Sequence, residues 1–363
     1  MSFSDISYMR RALELAREAR MICPPNPAVG CVIVKDRRVI GEGHTQRTGE
    51  AHAEVMALRD AERRGESVEG ATVYVTLEPC SHYGRTPPCA LALKNARVAR
   101  VVAALKDPNP LVSGRGLKML EEAGIEVESG VGAREAEDIN KGFLKRQRTG
   151  MPWVRSKFAM SLDGNTALSN GVSKWITGEE ARRDGHFWRA ISGAVLTGSG
   201  TVEADDPLMN ARIEGAERQP LKVVVDSQLR LSPDLKIFKE GKELLVCAFY
   251  DIVRAQMFEA QGVEVIELRG ADGKVNLKAL CAELGRREIN EVHVEAGARL
   301  NGALAMQGLI DEYLIYAAPR LLGQGRKLLD LPTLQNLSEG IALEFIDVEK
   351  VGPDLRLLLR PAG

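Results

Sequence analysis

The sequence predicts an α/β protein of two domains, and three observations lead to this prediction. Apolar segments with strand character alternate with amphipathic helix patterns in both halves of the chain. The segment 149–152, Thr-Gly-Met-Pro, interrupts a helix pattern as a linker does. The chain has 363 residues, which is long enough for two ordinary domains. We therefore expect one domain over residues 1–148 and a second over residues 149–363.

The composition is that of a globular protein without a strong electrostatic field. Hydrophobic residues make up 44% and charged residues 27%, with 49 basic and 50 acidic residues. This balance disfavours a nucleic-acid partner. The first residues carry neither a signal-peptide pattern nor a membrane span. The six cysteines lack the density of a disulfide scaffold, so we expect a reducing, cytoplasmic compartment.

The elements of the first domain follow from periodicity and proline positions. Ile6, Met9, Leu13 and Ala16 define one face of a helix, and a proline-rich loop from Pro24 cannot continue that helix. A hairpin is predicted from strands Val29–Val34 and Val39–Gly43, followed by a helix from His52 to about Arg64, strand Ala71–Leu77, a helix from Cys89 to about Asn95, strand Val98–Leu105, helix Arg115–Ala123, strand Ile125–Glu128 and a helix from Ala133 to about Arg148. This order predicts a sheet with helices on its faces.

Three residues of the first domain have the chemistry of a catalytic zinc site. One imidazole, His52, and two thiols, Cys80 and Cys89, leave the fourth zinc position open, which distinguishes a catalytic zinc from a structural one. Glu54 is not a ligand, and it suits a general acid/base that moves a proton from water to a departing nitrogen. H-x-E followed by P-C-x-x-C is the pattern of zinc deaminases, but here eight residues separate the two cysteines.

Local context supports the zinc site, although alternatives stay open. Both metal-bearing segments are predicted at helix N-termini, where partial positive charge favours a thiolate. The insert 81–88 carries His82 and Arg85, and a guanidinium there suits an anionic part of a substrate. A solvated loop is the alternative for the insert. Unrelated buried side chains are the alternative for the three ligands.

The second domain is predicted to contain strands joined by longer irregular inserts. The strands are Trp153–Met160, Ala194–Thr197, Lys222–Asp226, Leu244–Ala248, Val263–Leu268, Glu291–Glu295, Glu312–Ala317, Leu343–Val348 and Leu355–Leu359, and the helices lie near Glu179–Ile191, Asp251–Ala260, Leu277–Arg287 and Leu300–Gln307. A glycine turn at Gly297 feeds a helix, and such a turn presents free amides to a phosphate. It lacks the G-x-G-x-x-G fingerprint, so a Rossmann fold is not indicated. A turn that only closes a βα unit is equally compatible.

Over nearly its full length the chain resembles the bifunctional deaminase/reductases of riboflavin biosynthesis. The motifs that carry the resemblance are residues 25–30 (Pro-Asn-Pro-Ala-Val-Gly), His52-Ala53-Glu54, residues 76–89 (Thr-Leu-Glu-Pro-Cys through Pro-Pro-Cys) and Asp107-Pro108-Asn109-Pro110 in the first half, and residues 161–164, 204–207 and 294–297 in the second. In that family the eight-residue separation of the cysteines is the expected one.

The resemblance implies a cytidine-deaminase-like three-layer domain followed by a dihydrofolate-reductase-like α/β domain. The first domain is expected to hydrolyse the 2-amino group of 2,5-diamino-6-(5-phosphoribosylamino)pyrimidin-4(3H)-one, and the second to reduce the ribosyl group of the product to ribityl. One Zn²⁺ per deaminase site and NADPH are the implied cofactors. We expect small phosphoribosylaminopyrimidine substrates, no nucleic-acid or membrane partner, and a homo-oligomer, either a dimer or a tetramer.

The resemblance also implies roles for individual residues. In the deaminase it implies zinc ligands His52, Cys80 and Cys89, the catalytic residue Glu54, and substrate contacts Asn26, His44, His82 and Arg85. In the reductase it implies NADPH contacts Ala159, Trp175, Thr201, Asp205, Ser227, Gly297, Ala298, Arg299, Leu300, Asn301, Gly302 and Ala303, and substrate contacts Ser173, Arg189, Met209, Arg212 and Glu295. The two arginines suit clamps on the substrate phosphate. A packing role is the plain alternative for Trp175.

Two other classes of function remain to be weighed. A nucleic-acid deaminase fused to a binding module requires a basic, aromatic groove, which the near-neutral charge and the long insert before Cys89 disfavour. A zinc ion that serves only as a structural staple has no use for a free carboxylate beside it. Glu54 therefore favours catalysis over a structural site.

Overall fold

A computed structural model describes residues 3–81, 83, 87–108, 113–240 and 242–362. The chain divides into two compact units, Met1–Gly150 and Met151–Gly363. Each unit has its own sheet and its own buried apolar clusters. No helix in the described part of the chain is long and apolar enough to cross a membrane.

The first unit is a five-stranded sheet between two helix layers. Its elements are α1 (Phe3–Ala19), β1 (Gly30–Lys35), β2 (Arg38–His44), α2 (Ala53–Arg63), β3 (Thr72–Val75), α3 (Cys89–Asn95), β4 (Arg100–Ala103), α4 (Arg115–Glu122), β5 (Glu126–Ser129) and α5 (Ala133–Thr149). The strand order is β2-β1-β3-β4-β5. Strand β1 pairs antiparallel with β2 and β3, whereas β3, β4 and β5 are parallel.

Alternation along β1 explains the three layers. Cys31 and Ile33 pack into the cluster that includes residues of α2, α3 and α4. Val32 and Val34 point to the opposite face, where the cluster includes residues of α1 and α5. Successive side chains of a strand point to opposite faces, so a continuous apolar run of this kind requires a helix layer on each side of the sheet.

The second unit contains a nine-stranded mixed sheet. Its elements are β6 (Trp153–Ser161), β7 (Asn165–Leu168), α6 (Glu179–Ile191), β8 (Ala194–Gly198), α7 (Ser199–Asp205), β9 (Leu221–Val225), β10 (Glu243–Cys247), α8 (Ile252–Glu259), β11 (Glu264–Glu267), α9 (Leu277–Arg286), β12 (Glu291–Val294), α10 (Ala298–Met306), β13 (Glu312–Ala318), β14 (Gly325–Lys327), β15 (Leu343–Val351) and β16 (Asp354–Pro361), with 3₁₀ turns at Lys236–Phe238 and Leu337–Glu339. The order β11-β10-β9-β8-β12-β6-β13-β16-β15 is parallel from β11 to β13 and antiparallel from β13 to β15. Strands β7 and β14 pair separately.

A buried arginine joins the three central strands of the second unit. Arg155 on β6 is 0% exposed and donates to Glu291 on β12 and Glu312 on β13, at 2.8 and 2.7 Å. Its guanidinium also lies over the ring of Trp188. Removing one partner of a buried ion pair leaves an uncompensated charge, so this cluster fixes how the three strands align.

Four elements differ from the pattern that the sequence predicts. Helix α7 begins in a glycine-containing segment that resembles a turn, and Val202 is its only buried residue. The short strands β7 and β14 lack an apolar run of their own. Helix α10 begins at Ala298 rather than at Leu300, so its first turn lies directly after Gly297.

Candidate active sites

His52, Cys80 and Cys89 lie together in the first unit. One ligand atom from each residue lies within 4.8 Å of the others. The His52 Nδ1 atom is 3.6 Å from Cys80 Sγ and 3.3 Å from Cys89 Sγ. This is the only such cluster among the described histidine, cysteine and acidic residues.

The fold brings the three ligands together from two helix starts and one turn. His52 is the N-cap of α2, and Cys89 is the first residue of α3. Cys80 lies in the turn after β3, and its Sγ accepts a hydrogen bond from the Cys89 amide at 3.3 Å. The Cys89 thiol, ahead of the His52 ring, lowers the pKa of Cys80, so a thiolate forms readily there.

Glu54 is buried beside the cluster in the first turn of α2. Its side chain is 4% exposed. Burial, followed by the charge of the nearby Cys80, raises the pKa of Glu54 to about 7. A zinc ion bound beside Glu54 would lower this pKa. A general acid/base works best with a pKa near the operating pH. The geometry therefore fits proton transfer rather than metal ligation.

The donor set fits zinc. One nitrogen and two sulfurs form a three-ligand set that leaves one position open, and the carboxylate beside it lies outside the set. Both thiols lie at the start of a helix or next to one, where partial positive charge stabilises a thiolate.

The other predicted deaminase contacts lie in loops. Asn26 is half-buried in the loop before β1, and its backbone N–H donates a hydrogen bond to the Cys23 carbonyl oxygen. His44 ends β2, and Gln46 Nε2 donates to its carbonyl oxygen at 2.9 Å. His82 and Arg85 lie outside the described residues.

The second unit contains a large cleft at the carboxyl ends of its parallel strands. Its volume of about 1910 Å³ exceeds the roughly 300–1,000 Å³ of an ordinary small-molecule site. Its lining includes these predicted contacts: Ala159, Ser173, Trp175, Arg189, Thr201, Asp205, Met209, Arg212, Ser227, Glu295, Gly297, Ala298, Arg299, Leu300 and Ala303. The volume suits two ligands bound side by side.

Two helix starts meet in this cleft. Helix α7 follows β8, and helix α10 follows β12, the strand next to β8. A Cβ built on Gly297 meets only Thr201 Oγ1, at 3.9 Å, and the φ of Gly297 is −73°. Neither the backbone nor packing thus requires glycine at this position. The space that it leaves lies where the amides of α10 begin, which suits a phosphate.

Glu295 lies in a cluster of charged side chains in the cleft. Both of its oxygens accept from Arg189, and Lys157 Nζ lies 3.8 Å from Glu295 Oε2. His293 Nε2 lies 3.4 Å from Glu295 Oε1. Burial alone raises the pKa of Glu295, but Arg189 and Lys157 hold it well below its usual range. The carboxylate therefore stays ionised at the end of β12.

Two of the predicted NADPH contacts, Asn301 and Gly302, make contacts inside the domain. Asn301 and Gly302 lie on the inner side of α10: the Asn301 amide group bonds to Ser156 Oγ and Ala296 O, and a Cβ on Gly302 would lie 2.2 Å from Asp330 O. The Asn301 side chain and the close approach of Gly302 to Asp330 thus serve packing within the domain, and a contact of either residue with NADPH stays a prediction.

The two arginines that are predicted to bind the substrate phosphate lie in different surroundings. Besides Glu295, Arg189 donates to Asn210 O at 3.0 Å, so its three donor nitrogens are all used. Arg212 is exposed and remains available for an anion. Trp175 is 63% exposed, with the Arg182 guanidinium stacked on its ring.

Two further cleft residues were not predicted from the sequence. Lys157 lies on β6 two residues before Ala159, so strand periodicity places both side chains on one face. His186 lies one turn before Arg189 on α6, and its Nδ1 accepts from the Arg212 amide at 3.2 Å. Burial, and then the charges of Arg189 and Arg212, lower the pKa of His186 to about 4, so it is neutral.

Comparisons with known proteins match each unit separately and the chain as a whole. Residues 3–105 match the cytidine and deoxycytidylate deaminase zinc-binding region, and residues 152–357 match the RibD C-terminal domain. The riboflavin biosynthesis protein RibD of Escherichia coli is 47% identical, covering 98% of this chain and 99% of that protein. The RibD of Haemophilus influenzae is 45% identical, covering 100% and 99%.

Two solved structures share the fold of the whole chain. Acinetobacter baumannii RibD has a TM-score of 0.91 at 45% identity. A Thermotoga maritima protein described as a diaminohydroxyphosphoribosylaminopyrimidine deaminase/5-amino-6-(5-phosphoribosylamino)uracil reductase has a TM-score of 0.89 at 32% identity. Each covers 99% of this chain and 99% of the other.

Fold and site together define a zinc-dependent deaminase joined in one chain to an NADPH-dependent reductase of dihydrofolate-reductase-like fold. The chain belongs to the RibD family of riboflavin biosynthesis enzymes. The predictions of fold, bifunctional activity, zinc and NADPH are confirmed.

Removing both thiols tests the metal site. Purified protein is expected to contain about one zinc per chain, as one three-ligand site requires. Cys80→Ser/Cys89→Ser is expected to lose that zinc, measured by elemental analysis. Cys247→Ser/Cys281→Ser, which changes two buried thiols of the second unit, is the matched control and is expected to keep it. Full zinc occupancy in the first double variant would show that these thiols are not ligands.

Proposed function

We propose that the first unit hydrolyses the 2-amino group of 2,5-diamino-6-(5-phosphoribosylamino)pyrimidin-4(3H)-one. The second unit then reduces the ribosyl group of 5-amino-6-(5-phosphoribosylamino)uracil to ribityl. The observation that carries this proposal is the placement of Glu54 beside the His52, Cys80 and Cys89 cluster, in one chain with the cleft of the second unit. The substrates named for the Thermotoga relative support the choice. We assign the activities to residues 1–148 and 149–363.

The deamination replaces a carbon–nitrogen bond by a carbon–oxygen bond. Water adds to C2 of the pyrimidine, the nitrogen leaves as ammonia, and the ring keeps a carbonyl. Zinc, when bound, supplies the Lewis acidity that makes water nucleophilic near neutral pH. Glu54 takes the proton from the attacking water and delivers it to the leaving nitrogen, because an unprotonated nitrogen anion is a poor leaving group. Burial excludes bulk water from this transfer.

In the second unit, substrate and cofactor share the cleft beside β12. NADPH, when bound, would supply the hydride for C1′ of the sugar, while the C1′–O4′ bond breaks and O4′ takes up a proton. The first amides of α10 after Gly297 hold the cofactor phosphates, because a helix N-terminus favours anions. Arg212, supported through its amide by His186, attracts the substrate phosphate.

Glu295 and Lys157 act on the sugar. Glu295 accepts a hydrogen bond from a ribose hydroxyl with the lone pairs that Arg189 leaves free. Lys157 lies on the neighbouring strand and presents a cation to the same region. Together they orient C1′ towards the cofactor, because hydride transfer requires reacting atoms within about 3–3.5 Å.

Glu54→Gln tests the proton-transfer role. The variant keeps the size of the side chain and all three ligands but cannot accept the proton. We expect deamination, followed by ultraviolet absorbance, to slow by about 10²–10⁴-fold. Reduction of substrate that has already been deaminated is expected to be unchanged. A deamination rate near that of the wild type would assign the proton transfer to another group.

Glu295→Gln and Gly297→Val test the division of roles in the cleft. Glu295→Gln is expected to slow reduction by about tenfold or more, because orientation is lost, and to leave NADPH affinity and deamination unchanged. Gly297→Val adds a side chain at a position where a Cβ meets only Thr201 Oγ1, at 3.9 Å. Its expected effect is weaker NADPH binding by about tenfold or more, because the phosphates cannot approach the amides.

Both variants are compared with the wild type in two measurements. NADPH affinity is measured by fluorescence titration, and the reduction rate is measured by steady-state kinetics. Equal loss of cofactor and substrate binding in both variants would show that Glu295 and Gly297 have no separate roles.

We also propose a cytoplasmic homodimer. None of the six cysteines forms a disulfide in the structure, which suits a reducing compartment. At one edge of the second unit, the eight residues 343–350 of β15 are exposed. Phe345, Val348 and Leu355 are 66%, 55% and 42% exposed on one face of the β15–β16 hairpin. An open edge strand with apolar side chains pairs readily with a second copy across a two-fold axis.

Val348→Glu tests this edge. A charge in the centre of a two-fold contact meets its own copy, so we expect the dimer to dissociate, as measured by analytical ultracentrifugation. Val253→Glu changes a valine of similar exposure on α8 and is expected to leave the dimer intact. A monomeric wild type, or a dimeric Val348→Glu protein, would contradict the proposed interface.

A further inference from the structure

Glu78 lies two residues before Cys80, and the chemistry above does not use it. The residue follows β3 and is 3% exposed. Its amide donates to Leu105 O at 2.8 Å, next to the end of β4. A buried carboxylate is costly unless hydrogen bonds compensate it. The partners of Glu78 therefore show what it does.

Three backbone amides converge on the Glu78 carboxylate. Oε2 accepts from Asp107 N at 3.2 Å and from Gly114 N at 2.9 Å, and Oε1 accepts from Gly116 N at 2.9 Å. Asp107 and Gly114 are the two ends of the segment 107–114 that leads from β4 to α4. One side chain thus fixes both ends of this segment and the start of α4.

Helix α4 depends on Glu78 for its N-terminal cap. Gly114 is the N-cap residue and has no side chain to accept a hydrogen bond. The first amides of a helix have no partner within the helix, and negative charge is favourable beside them. Glu78 supplies both the acceptor and the charge from the turn that carries Cys80.

The first turn of α4 also touches the turn of the zinc ligand directly. A Cβ on Gly116 would lie 1.9 Å from Pro79 O, so the backbone of α4 packs on the residue before Cys80. Helix α4 packs against α3 as well, and α3 begins with Cys89. The helix that Glu78 caps therefore contacts the segments of both thiol ligands.

We propose that Glu78 is a positioning residue of the zinc centre. It holds the first turn of α4 against Pro79 and so fixes the directions of Cys80 and Cys89. The inference rests on the zinc-dependent deaminase proposed above. Groups that orient metal ligands typically change metal affinity or activity by about 10–100-fold when they are lost. Glu78 differs from most such groups because it acts through the backbone rather than on the ligand atom.

Glu78→Gln is the variant that tests this role. It matches glutamate in size, but one oxygen becomes an NH₂ group that faces an amide donor, so at least one of the three amides loses its acceptor. Glu78→Asp keeps the charge on a shorter side chain and is expected to recover part of the function. Glu69→Gln is the matched control, because Glu69 is exposed in the same unit and pairs with Arg97.

The full-length protein loaded with Co²⁺ gives the readout. At saturating metal, Glu78→Gln is expected to shift the cobalt d–d bands and to weaken the thiolate-to-cobalt charge-transfer band. In competition with a chelator, its Co²⁺ affinity is expected to fall by about 10–100-fold. Glu78→Asp is expected to lie between this variant and the wild type, and Glu69→Gln to match the wild type. Reduction of deaminated substrate is expected to be unchanged in every variant.

Each other outcome has a defined meaning. A Glu78→Gln protein with wild-type bands at saturation, wild-type Co²⁺ affinity and only a lower melting temperature would make Glu78 a stabilising residue and overturn the proposal. Where Glu78→Gln does not fold its first unit, Glu78→Asp decides: wild-type bands and affinity overturn the role, and intermediate values support it. A wild-type protein without thiolate charge transfer would instead overturn the zinc assignment.

Discussion

The parallel direction of strands is the constraint on which both active sites depend. In the first unit β2 and β3 run in the same direction because each is antiparallel to β1, so their carboxyl ends meet at one edge. In the second unit β8, β12 and β6 are parallel, and the segments after them line the cleft. Parallel strands require crossovers, and each crossover helix begins at the edge where the site forms. The helix starts at His52, Cys89 and Gly297 therefore follow from the topology.

Buried carboxylates then receive different roles from their surroundings. Burial, followed by the charge of Cys80, outweighs the opposing effect of the His52 ring and raises the pKa of Glu54, so it can carry a proton. Glu295 is equally enclosed, but Arg189 and Lys157 keep it ionised, which suits an acceptor for sugar hydroxyls. Glu78 is surrounded by backbone amides. One side-chain type thus serves as proton carrier, hydrogen-bond acceptor and backbone clamp because the donors around it differ.

Much of the fold and of the zinc site is encoded locally and was therefore predictable. Strand and helix periodicities locate most elements within a few residues, and helices α3 and α6 have the predicted bounds. The set of His52, Glu54, Cys80 and Cys89 was predictable because zinc chemistry restricts the residue types and their spacing. Helix α7 was not predictable because its amphipathic face has only one buried residue, Val202. Strands β7 and β14 were missed because each is stabilised by a partner far away in the sequence.

The reductase contacts show where a motif stops being informative. Arg189 and Glu295 lie 106 residues apart, and only the folded chain shows that they pair. An arginine that is predicted to bind phosphate therefore also supports a carboxylate. The phosphate contacts of Arg189 and Arg212 stay predictions. Asn301 shows the same limit, since its amide group satisfies Ser156 and Ala296 inside the domain. In both cases a buried polar group takes the nearest internal partner, because leaving that partner unpaired costs about 1–3 kcal/mol. A polar side chain is therefore available to a ligand only where the buried groups around it already have other hydrogen-bond partners.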